Sequence, residues 1–335
     1  MNTPFKNIDL EKKIFSVKED DFFTMALEVF QFQYFNNELY QRYCDTFNIE
    51  INKITSVEQI PFLPISFFKT HEVTTTAFEP EAIFESSGTT QTINSKHFIK
   101  NNNLYKESFS HTFQLFYGKP DDYCILALLP SYLERNNSSL VVMADSLIKA
   151  SKHPRSGFYL NELNELRTTL LDLERQHQKT ILIGVTFALL DFAEKYSMPL
   201  SNTVIIETGG MKGRREELTR REVHTILKNS FGVSQIHSEY GMTELLSQAY
   251  ALNNGIFNCP PWMKVLIRDE DDPLAIHSST NKPFKGAVNI IDLANIYSCS
   301  FIATDDAGQL FPDNSFEILG RLDNSDIRGC SLLSL

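Results

Sequence analysis

Between residues 123 and 240 the chain repeats one pattern, and that pattern restricts the fold more than any other feature. A short apolar run is followed by a stretch of helical spacing, and then by another apolar run. Residues 123–129 precede 139–150, 180–185 precede 187–196, and 203–206 precede the charged, helix-compatible 214–229, after which 234–240 is again strand-like. Strands joined through helices run parallel, because a tight hairpin can only join antiparallel neighbours. The runs at 265–268, 287–293, 296–304 and 316–319 have no helical pattern between them, which predicts a smaller, more antiparallel β-rich subdomain. The expected class is α/β, a mostly parallel sheet flanked by helices with this subdomain attached.

Two segments precede the repeat. Phe23, Leu27, Phe30 and Tyr34 recur at spacings of four, three and four, which predicts an amphipathic helical segment over residues 20–47. Ile60-Pro61-Phe62-Leu63-Pro64 holds two prolines that forbid a continuous helix, so it reads as an extended connector.

The composition narrows the function. A chain of 335 residues that is 42% hydrophobic can bury a large core. Asp and Glu outnumber Lys and Arg by 42 to 31, giving a net charge of −11, which argues against a general nucleic-acid binder. No apolar run approaches the ~20 residues that span a bilayer, and residues 1–13 lack a signal-type apolar stretch, so a cytoplasmic protein is expected. Cys44, Cys124, Cys259, Cys299 and Cys330 form no CxxC pair, which gives no sign of zinc or a redox dithiol.

Several polar segments lie at or near the ends of the predicted strands. Ser86, Ser87, Thr89 and Thr90 surround Gly88, a composition that suits phosphate binding through hydroxyls and free backbone N–H groups and equally suits an ordinary Ser/Thr turn. It lacks the GxxxxGK[ST] order of a Walker loop. Gly209-Gly210-Met211 sits between a strand and a helix, where a ligand-binding turn belongs. A dinucleotide-binding turn ending at Gly213 would need glycine where Thr208 stands, which disfavours a dehydrogenase. Tyr240-Gly241-Met242-Thr243-Glu244 offers an aromatic face, a hydroxyl and a carboxylate, suited to a base, a phosphate and a hard cation such as Mg²⁺, or alternatively to a capped helix start. Asp306 and Arg321 can hold ribose hydroxyls or phosphate, and turns explain both segments as well. His71, His97, His111 and His237 form no recognisable triad and read as ordinary hydrogen-bonded histidines.

Taken in order, these segments resemble the adenylate-forming superfamily of acyl-CoA synthetases, peptide-synthetase adenylation domains and luciferase-like enzymes, over residues 60–335. The resemblance implies an ATP-binding site in which Ser86, Ser87, Gly88, Thr89 and Thr90 form the phosphate loop and Gly209, Gly210 and Met211 line adenine. It also implies that Tyr240 and Gly241 reach adenine, Thr243 a phosphate and Glu244 the Mg²⁺, while Asp306 and Arg321 hold ribose. Within the superfamily, 60–69 and the ending 325–332 resemble the acyl-protein synthetases, the fatty-acid-activating component of bacterial luminescence systems and its non-luminous relatives.

For this chain the family implies activation of a carboxylic acid as acyl-AMP, transfer to the thiol of Cys330, and delivery to an acceptor such as a reductase, condensing enzyme or carrier protein. Arg328, two residues from Cys330, would favour the thiolate. An adenylate-forming domain over 1–320 and a tail over 321–335 are expected, the small C-terminal domain of larger relatives being essentially absent. The sequence departs from the usual phosphate loop at Gln91-Thr92-Ile93, with no lysine until Lys96. An acyl- or aryl-CoA ligase of the phenylacetate-CoA ligase type, and a non-catalytic nucleotide- or acyl-binding component, are the alternative readings.

Overall fold

Cys124–Leu128 is apolar at every position, so neither of its faces can meet water, and it forms a strand buried on both sides. Thr180–Val185, also buried throughout, pairs with it in parallel, Ile181 lying opposite Ile125, and Thr203–Thr208 pairs in turn with Thr180–Val185, Val204 opposite Ile181. His237–Tyr240 extends the parallel array, Ala249–Ala251 closes it antiparallel, and Gly157–Phe158 adds a short parallel edge at the other side. The result is a six-stranded sheet. Helices Ser139–Ser151, Leu163–Arg175, Thr186–Lys195 and Arg220–Phe231 carry the chain from each parallel strand back to the start of the next. The last of these is bounded by local chemistry: a capping box between Thr219 and Glu222 opens it, and Gly232, at φ 61°, closes it in the left-handed region. The computed structural model describes residues 8–86, 93–130, 137–209, 218–269, 272, 274–278 and 281–322.

A second six-stranded sheet is built on Met263–Arg268, Phe284–Asp292 and Phe301–Leu310, which pair antiparallel, with Phe316–Arg321 added beyond them. The expected β-rich subdomain is present, with one correction. Residues 296–300 are not strand; Asn295 N–H bonds to the Asp292 carbonyl and Ser298 N–H to that of Asn295, and the strand begins at Phe301. Ile296 and Cys299 are apolar because they are buried in this turn, under Gln33, whose Nε2 donates to the Asn295 and Ile296 carbonyls at 2.9 and 3.0 Å.

The opening helical segment is also divided. Phe22–Asn36 ends where Asn37 turns to φ −122°, and the Asn37 side chain then accepts from Tyr40 N–H to cap Glu38–Asp45. The proline connector becomes a short strand, Leu63–Pro64, paired parallel with Ile302 and Ala303. Ala82–Glu85 and Lys96–Ile99 form a separate antiparallel pair. Among the described residues no helix is long and apolar enough to cross a membrane.

Candidate functional site

The carboxyl ends of the parallel strands lie side by side, Val185 opposite Thr208 and Thr208 opposite Glu239. This edge of an open parallel sheet is where ligands bind, because the strand-to-helix turns there are free of sheet pairing. The chain leaves Thr208 through Gly209 at φ 67°, where an added Cβ would meet nothing within 4 Å, so backbone conformation and not space demands glycine. Thr186 Oγ1 sits 2.7 Å from the Gly209 carbonyl and 2.9 Å from Glu207 Oε2, within hydrogen-bond distance of both. Burial pushes the Glu207 carboxyl up, but His224, the Arg220 charge and Ser238 outweigh it and hold Glu207 below its ordinary range. Arg220 Nε lies 3.4 Å and His224 Nε2 3.6 Å from Glu207 Oε1.

Glu239, on the next strand, has the opposite balance. Burial pushes its carboxyl up to about 7, only partly opposed by the hydroxyl that Thr208 donates to Oε2, and Glu207 adds to the upward push. A Cβ at Gly241 would come within 2.5 Å of Glu239 Oε1, so any other residue there would displace that carboxyl. The folded protein binds the Glu239 proton more tightly than the unfolded chain, whose value is about 4.5. The stability this contributes is therefore fully present below the lower value and lost as the pH rises through the higher one. The urea midpoint of the wild type is expected to fall between about pH 5 and about pH 8, and Glu239→Gln to flatten that fall. Parallel pH dependences of wild type and variant would show that Glu239 is not the titrating group.

Tyr240 and Asp306 meet across the two sheets: the Tyr240 hydroxyl donates to Asp306 Oδ2 at 2.7 Å, both residues being buried. The Tyr240 ring packs edge-on or tilted against Phe257 and Phe316. Asp306 stands directly opposite Arg321 in the antiparallel pair, with Arg321 Nε 3.6 Å from Asp306 Oδ1. Burial pushes the Asp306 carboxyl up, against the pull of Tyr240 and Arg321. The Arg321 side chain is 82% exposed, so this ion pair adds little stability and the guanidinium is accessible to a ligand.

The Thr243-Glu244 turn is fixed from three directions. His97 Nδ1 lies 2.9 Å from the Thr243 carbonyl, and its Nε2 2.8 Å from Ser298 Oγ. Burial lowers His97 to about 4, so the ring is neutral; Nδ1 carries the proton, and Nε2 accepts from Ser298. Asn295 Nδ2 donates to the Glu244 carbonyl at 2.7 Å. Asp292, fully buried, accepts from Leu246 and Ser247 N–H at 2.9 Å each, from Ser247 Oγ at 2.6 Å and from Ala294 N–H at 3.0 Å. Glu244 itself is buried, which pushes its carboxyl up, while Ser95, Arg321 and Lys69 oppose the shift. Ser95 Oγ is buried and makes no hydrogen bond of ordinary geometry, although it lies near enough to Glu244 to favour the charged form.

Of the residues expected to form the site, Gly209, Tyr240, Gly241, Thr243, Glu244, Asp306 and Arg321 lie on these converging strand ends and turns. Ser86 stands at the hairpin base, its N–H donating to the Ser95 carbonyl and its Oγ accepting from Ser95 N–H at 3.0 Å. Ser87, Gly88, Thr89, Thr90, Gly210, Met211 and Cys330 lie outside the described residues. Sequence reasoning missed Asp292 and Asn295, which with Asn289 are the three polar side chains interrupting the apolar stretch 287–296, and Glu239, which lies beside the motif it read. His97 and His237 are hydrogen-bonded, as expected, to Thr243 with Ser298 and to Tyr117 respectively.

No group of three or more His, Cys, Asp or Glu side chains that could hold a metal occurs among the described residues. A lone buried carboxylate at Glu244 fits Mg²⁺ that takes its remaining ligands from phosphate oxygens and water.

The family model for acyl-protein synthetase, LuxE, matches residues 12–334. The chain is 24% identical over 339 residues to the long-chain-fatty-acid–luciferin-component ligase of Aliivibrio fischeri, covering 92% of this chain and 86% of that one. ATP-bound MatB from Rhodopseudomonas palustris is similar with a TM-score of 0.50 and 17% identity, over 72% of this chain and 48% of that one. The luciferase-like enzyme of the nonluminescent mealworm Zophobas morio gives 0.50 and 15%, over 75% and 60%. This chain thus spans about half the length of the former and 60% of the latter. The chain has the fold of adenylate-forming enzymes and belongs to the LuxE acyl-protein synthetase family.

Proposed function

We propose that the protein uses ATP to activate a fatty acid as acyl-AMP, passes the acyl group to the thiol of Cys330, and delivers it to an acceptor protein. The observation that carries this reading is the meeting of Tyr240, Asp306 and Arg321 beside the Thr243-Glu244 turn, at the carboxyl edge of the parallel sheet. A carboxylate resists nucleophiles because its leaving group would be oxide; adenylation replaces that group with AMP. In this reading Tyr240, Gly241 and the 209–211 turn face the base, and Asp306 and Arg321 hold ribose. Ser86, Ser87, Gly88, Thr89, Thr90 and Thr243 bind phosphate. Glu244 would hold Mg²⁺, which supplies charge neutralisation at the phosphates when bound.

The acceptor thiol is assigned to Cys330 on the family's pattern, and the other cysteines support it. Cys44, Cys124 and Cys299 are buried, and burial pushes the thiols of Cys44 and Cys124 up to about 12 and about 11. Cys259 keeps some surface, yet burial raises its thiol to about 12. Thiols so placed are poor nucleophiles near neutrality. Leu322 N–H bonds to the Asp305 carbonyl at 2.8 Å, beside the proposed ribose contacts. Eight further residues reach Cys330, a span of at most ~26–29 Å, which bounds how far from Leu322 the thiol can act. We accordingly divide the chain into an adenylating body, 1–320, and an acyl-carrying tail, 321–335.

Incubation with Mg²⁺, ATP and a series of radiolabelled fatty acids tests the reading. Acyl-AMP is expected from wild type and Cys330→Ala alike, and hydroxylamine-sensitive label on wild type alone. Label that persists on the variant would remove Cys330 from the mechanism, and acyl-CoA formation by both would favour a CoA ligase. Absence of acyl-AMP with every acid would sink the adenylating activity itself.

A further inference from the structure

The segment 63–70 is pinned at both ends to elements that carry the site. At its start, Leu63 and Pro64 pair with Ile302 and Ala303, and Ile65 N–H donates to the Ala303 carbonyl at 2.9 Å, three residues before Asp306. At its end, the short helix Phe67–Thr70 sets Phe68 edge-on against His97, with ring centroids 5.6 Å apart, and His97 in turn holds the Thr243 carbonyl. Phe68 is 1% exposed, whereas the next residue, Lys69, is exposed. The backbone that presents Lys69 is therefore fixed to both sides of the proposed nucleotide site while its side chain remains accessible.

The charges around this point are unevenly committed. Arg321 faces Asp306 at 3.6 Å, and Lys96, the lysine that follows the Ser/Thr-rich loop, faces Glu85 at 4.0 Å. Lys69 has no ion pair among the described residues. Through Phe68 and His97 its backbone is set beside the Thr243-Glu244 turn. A cation anchored through buried neighbours, with no carboxylate partner among the described residues, is suited to an anion brought by a ligand, and a triphosphate is such an anion.

We propose that Lys69 is a catalytic residue of adenylate formation, its ammonium contacting the α-phosphate of bound ATP. This rests on the adenylating activity proposed above. In that step a carboxylate oxygen of the acid forms a bond to the α-phosphorus. The bond from the α-phosphorus to the bridging oxygen breaks, and its electron pair leaves with pyrophosphate. No proton is transferred, and Lys69 remains an ammonium throughout. It supplies positive charge beside the non-bridging oxygens as five-coordinate phosphorus is approached, and its flexible stem lets it follow them.

The test uses the full chain, Mg²⁺-ATP, a fatty acid that the wild type activates, and exchange of radiolabelled pyrophosphate into ATP. Lys69→Ala is expected to lower the exchange rate by ~10²-fold, with the KM for the acid little changed, and Lys69→Arg to recover most of the loss. The melting temperature should not move, because the side chain is exposed. A wild type that exchanges beside a Lys69→Ala variant that does so within about threefold of it would overturn the assignment of Lys69 alone. A loss that Lys69→Arg fails to restore, accompanied by a lower melting temperature, would reduce Lys69 to a structural role. No exchange by the wild type with any acid would remove the adenylating reading and this assignment with it.

Discussion

Replacing Glu244 with glutamine is expected to lower acyl-adenylate formation by a factor of ~10²–10³ while leaving the fold intact or slightly firmer. The two effects have opposite signs for one physical reason. Burial pushes the Glu244 carboxyl up, so keeping it ionised inside the protein is an uphill arrangement that the fold tolerates. Glutamine is nearly isosteric and neutral, and removes that penalty. The backbone of the turn does not depend on the charge: the Glu244 carbonyl is held by Asn295, and the next residues by Asp292. On the proposed mechanism, what disappears is the carboxylate assigned to hold Mg²⁺ at the nucleotide. Two readouts check this, a rate measured over a range of Mg²⁺ concentrations and a urea melt. A variant with a rate within about tenfold of wild type would remove Glu244 from the metal-binding role.

Asp292→Ala is the variant for which the largest loss of stability is expected, ~3–5 kcal/mol. Asp292 touches no ligand in the proposed mechanism, yet its oxygens accept from Leu246 N, Ser247 N, Ser247 Oγ and Ala294 N. Truncation leaves these donors without their acceptor in a region closed to water, although Leu246 N–H retains Asn295 Oδ1 at 3.0 Å. Burial pushes the Asp292 carboxyl up despite those bonds. Asp292→Asn should therefore be milder, since an amide keeps one acceptor oxygen and carries no charge to bury. Urea unfolding measures both. An alanine variant within about 1 kcal/mol of wild type would mean that the loop finds other acceptors.

The parallel sheet was legible because strands buried on both faces are written as short apolar runs, and 180–185 is one that alternates with stretches of helical spacing. The turn at 296–300 was not, because Ile296 and Cys299 are as apolar as strand residues but are buried by Gln33 and Asn37 from the far end of the chain. Local pattern carries no record of such a partner. The break at Asn37 had a signal, an N-cap residue before Glu38-Leu39, but the apolar spacing running through it is that of one helix. Tyr240, Thr243, Glu244, Asp306 and Arg321 could be singled out because they fall within short motifs. Asp292, Asn295 and His97 hold those motifs in place through long-range hydrogen bonds that no motif contains. Lys69 ends the segment 60–69, but its place beside the Thr243-Glu244 turn depends on the Phe68–His97 contact, which no local pattern records.

The bonds from Gln33 to the 295–300 turn also bear on the order in which the protein can assemble. Gln33 Nε2 and Ser300 Oγ are 267 residues apart in sequence and 3.2 Å apart in space. At ribosomal speeds of ~5–20 residues per second, the first long helix waits on the order of 10–50 s before its polar partner has been synthesised. During that interval Phe30 can pack on Tyr40 but not on Phe301, and Gln33 has only water or the nascent chain to bond. A holding chaperone would therefore be needed most before the last stretch of chain emerges.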